Sequence, residues 1–157
     1  MRWALAPIGI IAGLVMADRY TKIIMMAHPI LGAPFSFPGV IETVQHRNFG
    51  IIANLPLPWI VTVLLTVSVL AAISYGIFRA LKQMHLSEST ALSFVMAGAI
   101  GNLWDRLQWT YVFDWILLFG RSAINLADIC IGVGLLWYVL GRRAVAKSSI
   151  FVQKMHP

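Results

Sequence analysis

At 157 residues, 59% hydrophobic and only 11% charged, with a mean hydropathy of +0.80, the chain is too apolar for a soluble domain. It is long enough for several membrane spans joined by short loops in one integral membrane domain. The net charge of +6 suits nucleic acid in principle, but the basic residues are scattered around apolar segments and form no patch with interleaved aromatics. The single Cys130 excludes an intramolecular disulfide; inside an apolar segment it reads as a buried, unreactive thiol, so redox chemistry is not expected.

In chain order, Met1-Arg2-Trp3 and the uncharged run to Ala17 imitate a secretory signal peptide. No small-x-small cleavage site closes the run and apolar residues resume at Ile23, so an uncleaved first span over 3–27 is expected. The next segment, 28–57, holds Pro29, Gly32, Pro34, Pro38 and Gly39 and then the β-branched stretch Val40-Ile41-Glu42-Thr43-Val44. That pattern predicts turns followed by one or two short strands. Apolar stretches over 58–78, 89–107 and 122–140 supply three more spans, each close to the roughly 20 residues a helix needs to cross the hydrocarbon. Between the last two, 108–121 contains Tyr111-Val112-Phe113, compatible with a short strand or an interfacial helix. The tail, 141–157, carries Arg142, Arg143, Lys147 and Lys154 and reads as a basic cytoplasmic segment touching anionic lipid.

The fold expected is therefore an all-α polytopic membrane protein, four transmembrane helices with a small extracytoplasmic β platform. Its orientation follows from charge. Arg2, Arg79, Lys82, Arg142, Arg143, Lys147 and Lys154 share one side with a single acid, Glu88, whereas Arg19, Lys22, Arg47, Arg106 and Arg121 face Asp18, Glu42, Asp105, Asp114 and Asp128. By the positive-inside rule both termini are cytoplasmic. The same assignment places Asp18, Asp105, Arg106 and Asp128 at one depth near the outer face, where they can pair. Ionisable groups at membrane depth cost roughly 2.5–3.5 kcal/mol each on insertion scales, so their convergence points to chemistry. Trp59, Trp104, Trp109 and Trp115 fall near the same boundary and read as interfacial anchors.

Within the third span, Gly98 and Gly101 allow a neighbouring backbone to approach closely. Asn102, Asp105 and Arg106, three to four residues apart, share a helical face and can form a polar network. Asp114 follows in an apolar outer loop. Asn125 and Asp128, three apart, open the fourth helix on one face. Two acids flanking a polar network at one depth suggest a shared proton and an activated water.

Five ordered segments resemble the signature boxes of lipoprotein signal peptidase, the signal peptidase II family of bacterial intramembrane aspartyl proteases. Asp18 to Lys22 fits D-x-x-[ST]-K, Asn48-Phe49-Gly50 fits N-x-G, and Gly98 to Arg106 fits G-x-x-G-N-x-x-D-R. Val112-Phe113-Asp114 fits V-x-D, and Asn125-Leu126-Ala127-Asp128 fits N-x-A-D. The resemblance implies that Asp114 and Asp128 are the catalytic pair and that the substrate is a prolipoprotein whose lipobox Cys bears diacylglycerol, cleaved N-terminal to that Cys. It implies a multi-pass protein of the bacterial inner membrane with its active site at the outer face. Asn102, Asp105, Arg106 and Asn125 would orient the pair, Asp18 and Lys22 would pair on the first helix, and Asn48 would bind backbone or substrate from the platform. The chain departs from the family pattern at Arg19, where Gln is common, at Ile51-Ile52-Ala53-Asn54, where an aromatic near a second Gly is usual, and at Ile124, where an aromatic often stands. The interval between Asp114 and Asp128 is also short for the family.

No cofactor, metal or nucleic-acid partner is expected. None of His28, His46, His85 or His156 makes an H-E-x-x-H helix, no G-x-G-D motif occurs, and Ser122 and Lys22 lie in no recognisable Ser/Lys peptidase motif. The rival from another class is a small proton- or cation-coupled transporter or assembly subunit.

Overall fold

The computed structural model describes residues 5–28, 36–50 and 57–155, with side chains as far as 143. Pro29, Gly32 and Pro34 of the expected turns, the Ile51 to Asn54 departure and His156 lie outside the described residues. Four helices and three strands alternate as α1 (Leu5–Ala27), β1 (Ile41–Asn48), α2 (Trp59–Lys82), α3 (Leu86–Trp109), β2 (Val112–Leu118), β3 (Ser122–Ile124) and α4 (Leu126–Met155).

The bundle is organised around α3, which packs against each of the other helices. Its buried face runs through Ala91, Ser93, Ala97, Gly98, Ala99 and Gly101, small side chains that bring partner backbones close. At Gly98 the approach is closest: an added Cβ would stand 2.2 Å from the carbonyl oxygen of Ala127. Residues on the outward faces are apolar and exposed, such as Leu64 and Leu65 on α2 or Leu135 and Leu136 on α4, the inversion of burial expected where lipid is the solvent. Among the described residues, α2 alone is apolar enough by composition to qualify outright as a span, with mean hydropathy 2.3 over an 18-residue window. The others carry charged residues, and those of α1 and α3 at the sheet end turn inward: Asp18, Lys22, Asp105 and Arg106 are all buried.

α2 runs on to Lys82 and α3 starts at Leu86, a few residues beyond the expected spans, but the largest differences from the sequence expectation are in the fourth. The fourth apolar stretch does not begin its helix at 122. Ser122–Ile124 pairs with β2 as a third strand, and the helix starts only after Asn125, whose side chain caps it. The same helix runs past 140 through Met155.

The platform is a three-stranded antiparallel sheet in the order β1-β2-β3. Two of its links to the bundle lie at the ends of α3 and α1. Thr110 closes α3 in the left-handed region at φ 65, its N–H donating to Arg106 O, and turns the chain into β2. Gln45 Nε2 on β1 donates to the carbonyls of Met25 and Met26 at the end of α1. Asp114 thus lies in the central strand, opposite His46, and not in a loop as the sequence suggested.

An irregularity in this sheet sets the direction of the Asn48 side chain. The register between β1 and β2 runs Thr43↔Ile116 but His46↔Asp114, so β1 carries one extra residue, a bulge. Side chains alternate faces along a strand, and a one-residue insertion inverts the assignment downstream. Without the bulge Asn48 would face away from Asp114; with it, both share a face.

Candidate active site

The site forms where the ends of α1 and α3, the start of α4 and the central strand meet. Its two acids are held by different means. Asp128 belongs to a capping box: Asn125 Oδ1 accepts the N–H of Asp128 at 3.0 Å, and Asp128 Oδ2 accepts the N–H of Asn125 at 3.1 Å. This reciprocal pair satisfies two orphan donors of the helix end and locks the carboxylate onto the first turn, where the helix dipole favours negative charge. Asp114 is fully buried and held by two amides. Asn125 Nδ2 donates to its Oδ1 at 2.6 Å, and Asn48 Nδ2 donates to its Oδ2 at 3.0 Å.

Asn102 completes the network. Its Nδ2 donates to Asp128 Oδ1 at 2.8 Å while its Oδ1 accepts from Asn125 Nδ2 at 3.2 Å. All four carboxylate oxygens therefore receive a hydrogen bond from this chain, and Asn125 touches both acids. Because each carboxylate oxygen has two lone pairs, capacity remains on each acid for a proton or a water. Burial, the largest influence, pushes the Asp114 carboxyl up to about 6; the amides of Asn48 and Asn125 and the charge of Lys22 pull it back, and the charge of Asp128 adds to the rise.

Behind the pair stands a buried ionic cluster. Lys22 Nζ lies 2.9 Å from Asp18 Oδ2, 2.8 Å from Asp105 Oδ2 and 3.3 Å from Asn102 Oδ1. Asp18 uses its other oxygen to accept the N–H of Ala127 at 3.0 Å, so a residue of α1 helps cap α4. Asp105 Oδ2 also accepts the N–H of Phe113, which ties β2 to the end of α3. Arg106 Nη2 donates to Gly50 O at 2.8 Å and so fixes the chain just beyond Asn48, and Trp59 Nε1 donates to Arg106 O. Gly101 is small because Asp18 is there: a Cβ would meet Asp18 Oδ2 at 2.7 Å.

The structure thus brings together every residue singled out in the sequence: Asp18, Lys22, Asn48, Gly101, Asn102, Asp105, Arg106, Asp114, Asn125 and Asp128. Two roles go further than expected. Asn48 binds backbone, its Oδ1 accepting the N–H of Gly50 at 2.9 Å, and also donates directly to Asp114. Trp109 is more than a lipid anchor, stacking on Tyr111 and lying under the Arg19 guanidinium, 5.5 Å from its ring centroid. Arg19, in the sequence only a departure from Gln, pairs with Asp105 and, at 3.4 Å, with Asp18. Its spacing of three from Lys22 is the signal that points to this role, since i and i+3 share a helical face.

The sequence profile described as Signal peptidase (SPase) II matches residues 10–142, most of the chain. The chain belongs to the signal peptidase II family. Membership makes it a bacterial membrane protease and agrees with the five boxes read from the sequence. Among similar proteins are the lipoprotein signal peptidase of Teredinibacter turnerae, 31% identical over 152 residues, covering 88% of this chain and 89% of that one, and that of Streptococcus pyogenes serotype M5, 34% identical over 134 residues, covering 81% and 86%. The corresponding protein of Dehalococcoides mccartyi strain 195 is 28% identical over 130 residues, covering 80% and 81%. A bacterial membrane enzyme solved by the in meso method superimposes with a TM-score of 0.75 at 25% identity, over 92% of this chain and 89% of that one. These likenesses within the signal peptidase II family do not favour the transporter reading.

Proposed function

We propose that this signal peptidase II is an aspartyl endopeptidase in which Asp114 and Asp128 jointly activate water. As a member of its family the chain removes signal peptides from prolipoproteins, and the finer reading is that the precursor carries diacylglyceryl-Cys and is cut N-terminal to that residue. One carboxylate takes the water proton as general base; the other, protonated, hydrogen-bonds the scissile carbonyl oxygen and polarises it. Two close carboxyls in a low dielectric resist double ionisation and hold one proton between them.

The observation that carries this reading is the charge balance of the buried cluster. Asp18, Asp105, Asp114 and Asp128 are four acids; Arg19, Lys22 and Arg106 are three bases, with Arg106 in electrostatic reach of Asp105, Asp114 and Asp128. A buried site avoids net charge, and here neutrality calls for one proton among the four acids. Asp18 and Asp105 are committed to cations and backbone N–H groups. The proton falls to the pair whose donors are neutral amides and a helix end.

Asn102 and Asn125 orient the pair, Asn48 holds Asp114 from the sheet, and Asp18, Lys22, Asp105 and Arg106 act behind them as positioning residues. In the topology this reading requires, all four helices span the inner membrane as one domain, both termini are cytoplasmic and the sheet lies at the outer face. There a lipidated precursor keeps its acyl chains in the bilayer. The test is cleavage of one precursor in lipidated and unlipidated form by the wild-type chain, Asp114→Asn and Asp128→Asn. Both variants should insert and fold but lose cleavage by at least about a thousandfold, the scale on which removing a triad member of a hydrolase acts. Cleavage by either variant at near wild-type rate defeats the dyad. Equal turnover of unlipidated precursor defeats the lipid requirement.

A further inference from the structure

At the end of the bundle opposite the sheet, α2 and α4 both lean on α3 and leave a cleft of about 850 Å³ between them. One wall is the last turns of α2, with Tyr75, Gly76 and Arg79; the floor is the α2–α3 turn and the first turn of α3, from His85 to Glu88. The other wall is α4, contributing Trp137, Tyr138, Arg142 and Arg143. The floor is tied to that wall by Trp137 Nε1, which donates to Ser87 Oγ at 3.0 Å. This volume is within the range of pockets that hold small ligands.

The charges lining the cleft do not cancel. Three arginines face one acid, and that acid, Glu88, is turned to His85, its Oε2 3.6 Å from Nδ1. Arg142 lies over the Tyr138 ring and donates to its hydroxyl at 3.0 Å. Among the described residues, neither Arg79 nor Arg143 has a carboxylate partner, and no other acid of the chain lies near this end: the remaining five are Asp18, Glu42, Asp105, Asp114 and Asp128, all in the site, its cluster or the sheet. Next in sequence to lining residues Arg79, Trp137 and Gly141, the side chains of Phe78, Leu136 and Leu140 are apolar and exposed on α2 and α4.

We infer that this cleft binds the phosphate headgroup of an anionic phospholipid, with the arginines on the phosphate and the acyl chains along the exposed apolar faces. Basic pockets between spanning helices at the cytoplasmic surface recognise such headgroups, and planar guanidinium groups suit phosphate oxygens. A free phosphate would use the same arginines but would gain nothing from the apolar walls. The inference rests on the membrane topology proposed above and is independent of the catalytic pair, so its failure and that of the dyad are separate results.

The test is native mass spectrometry of the purified full chain in detergent with dioleoyl phosphatidylglycerol or dioleoyl phosphatidylcholine. The wild type should retain the glycerol lipid in preference to the choline lipid. Arg79→Gln/Arg143→Gln should bind phosphatidylglycerol about thirtyfold more weakly, each charge near an anionic headgroup being worth about fivefold. Arg121→Gln should bind as the wild type does, because Arg121 lies in the turn between β2 and β3, at the sheet end of the bundle, and does not line the cleft. Precursor cleavage in detergent, unchanged in these variants, verifies folding, and the two single variants, each about fivefold weaker, serve if the double variant is unstable. Equal retention of the two lipids, or full retention by the double variant, overturns the proposal. So does displacement of the lipid by millimolar inorganic phosphate, which would mark a phosphate site alone.

Discussion

Replacing Gly98 with Ala should damage the active site without touching a single polar group in it. The new Cβ would lie 2.2 Å from Ala127 O, 2.7 Å from Ile131 Cγ1 and 3.1 Å from Ala127 C. The Ile131 side chain can rotate away, but Ala127 O is backbone in the first turn of α4. Reaching even ~3.0 Å from it means parting α3 and α4 by about 0.8 Å, at the residue next to Asp128. Overpacking of this kind costs about 1–3 kcal/mol, and a misplacement of about 1 Å near the chemistry costs on the order of a hundredfold in rate. Gly9 and Gly13, where a Cβ would meet nothing within 4 Å, provide the control: Gly→Ala there should leave cleavage unchanged and stabilise the helix by up to about 1 kcal/mol. The assay is steady-state cleavage of a lipidated precursor together with thermal unfolding in the same detergent. A Gly98→Ala variant with wild-type rate and wild-type melting temperature refutes the argument that the α3–α4 approach sets the position of Asp128.

Lys22→Met should destabilise the protein by about 3–5 kcal/mol, because it leaves Asp18 and Asp105 buried with one fewer cation. Lys22→Met/Asp105→Asn should recover part of that loss in thermal unfolding; strictly additive losses would show that the two side chains are not coupled. The Asp114 carboxyl, raised to about 6 by burial, binds its proton more tightly folded than unfolded. Its contribution to stability is therefore fully present below about pH 4 and is lost as pH rises through about 6, a change of roughly 2–3 kcal/mol. Melting temperatures followed from pH 4 to 7 should fall more steeply for the wild type than for Asp114→Asn, and parallel curves would contradict the burial argument.

The four helices and the pairing of candidate residues within each helix were legible because they rest on local rules. Hydropathy over about 20 residues marks a long apolar helix. Spacings of three and four put Asn102 with Asp105 and Arg106, Asp18 with Lys22, and Asn125 with Asp128, and the helical structure keeps each set together. Composition alone was less decisive than length: charge in α1, α3 and α4 obscures them as apolar helices until its partners are known, whereas α2 has none before Arg79.

What the sequence could not disclose depends on pairing between distant segments. The strand that carries Asp114 is made by its neighbours β1 and β3, and short β-branched runs do not reveal which partner they will take. The bulge that turns Asn48 toward Asp114 is a mismatch between two strands, a property of the pair and of neither alone. Arg19 stood only as a departure from a pattern until Asp105, 86 residues away, came to lie beside it. The sequence by itself thus determined which groups an apolar chain must supply with partners; tertiary structure decided how they satisfy one another. The physical reason is that the cost of burying a charge is a local property of its segment, while the hydrogen bonds and ion pairs that offset it come from wherever the fold brings a partner.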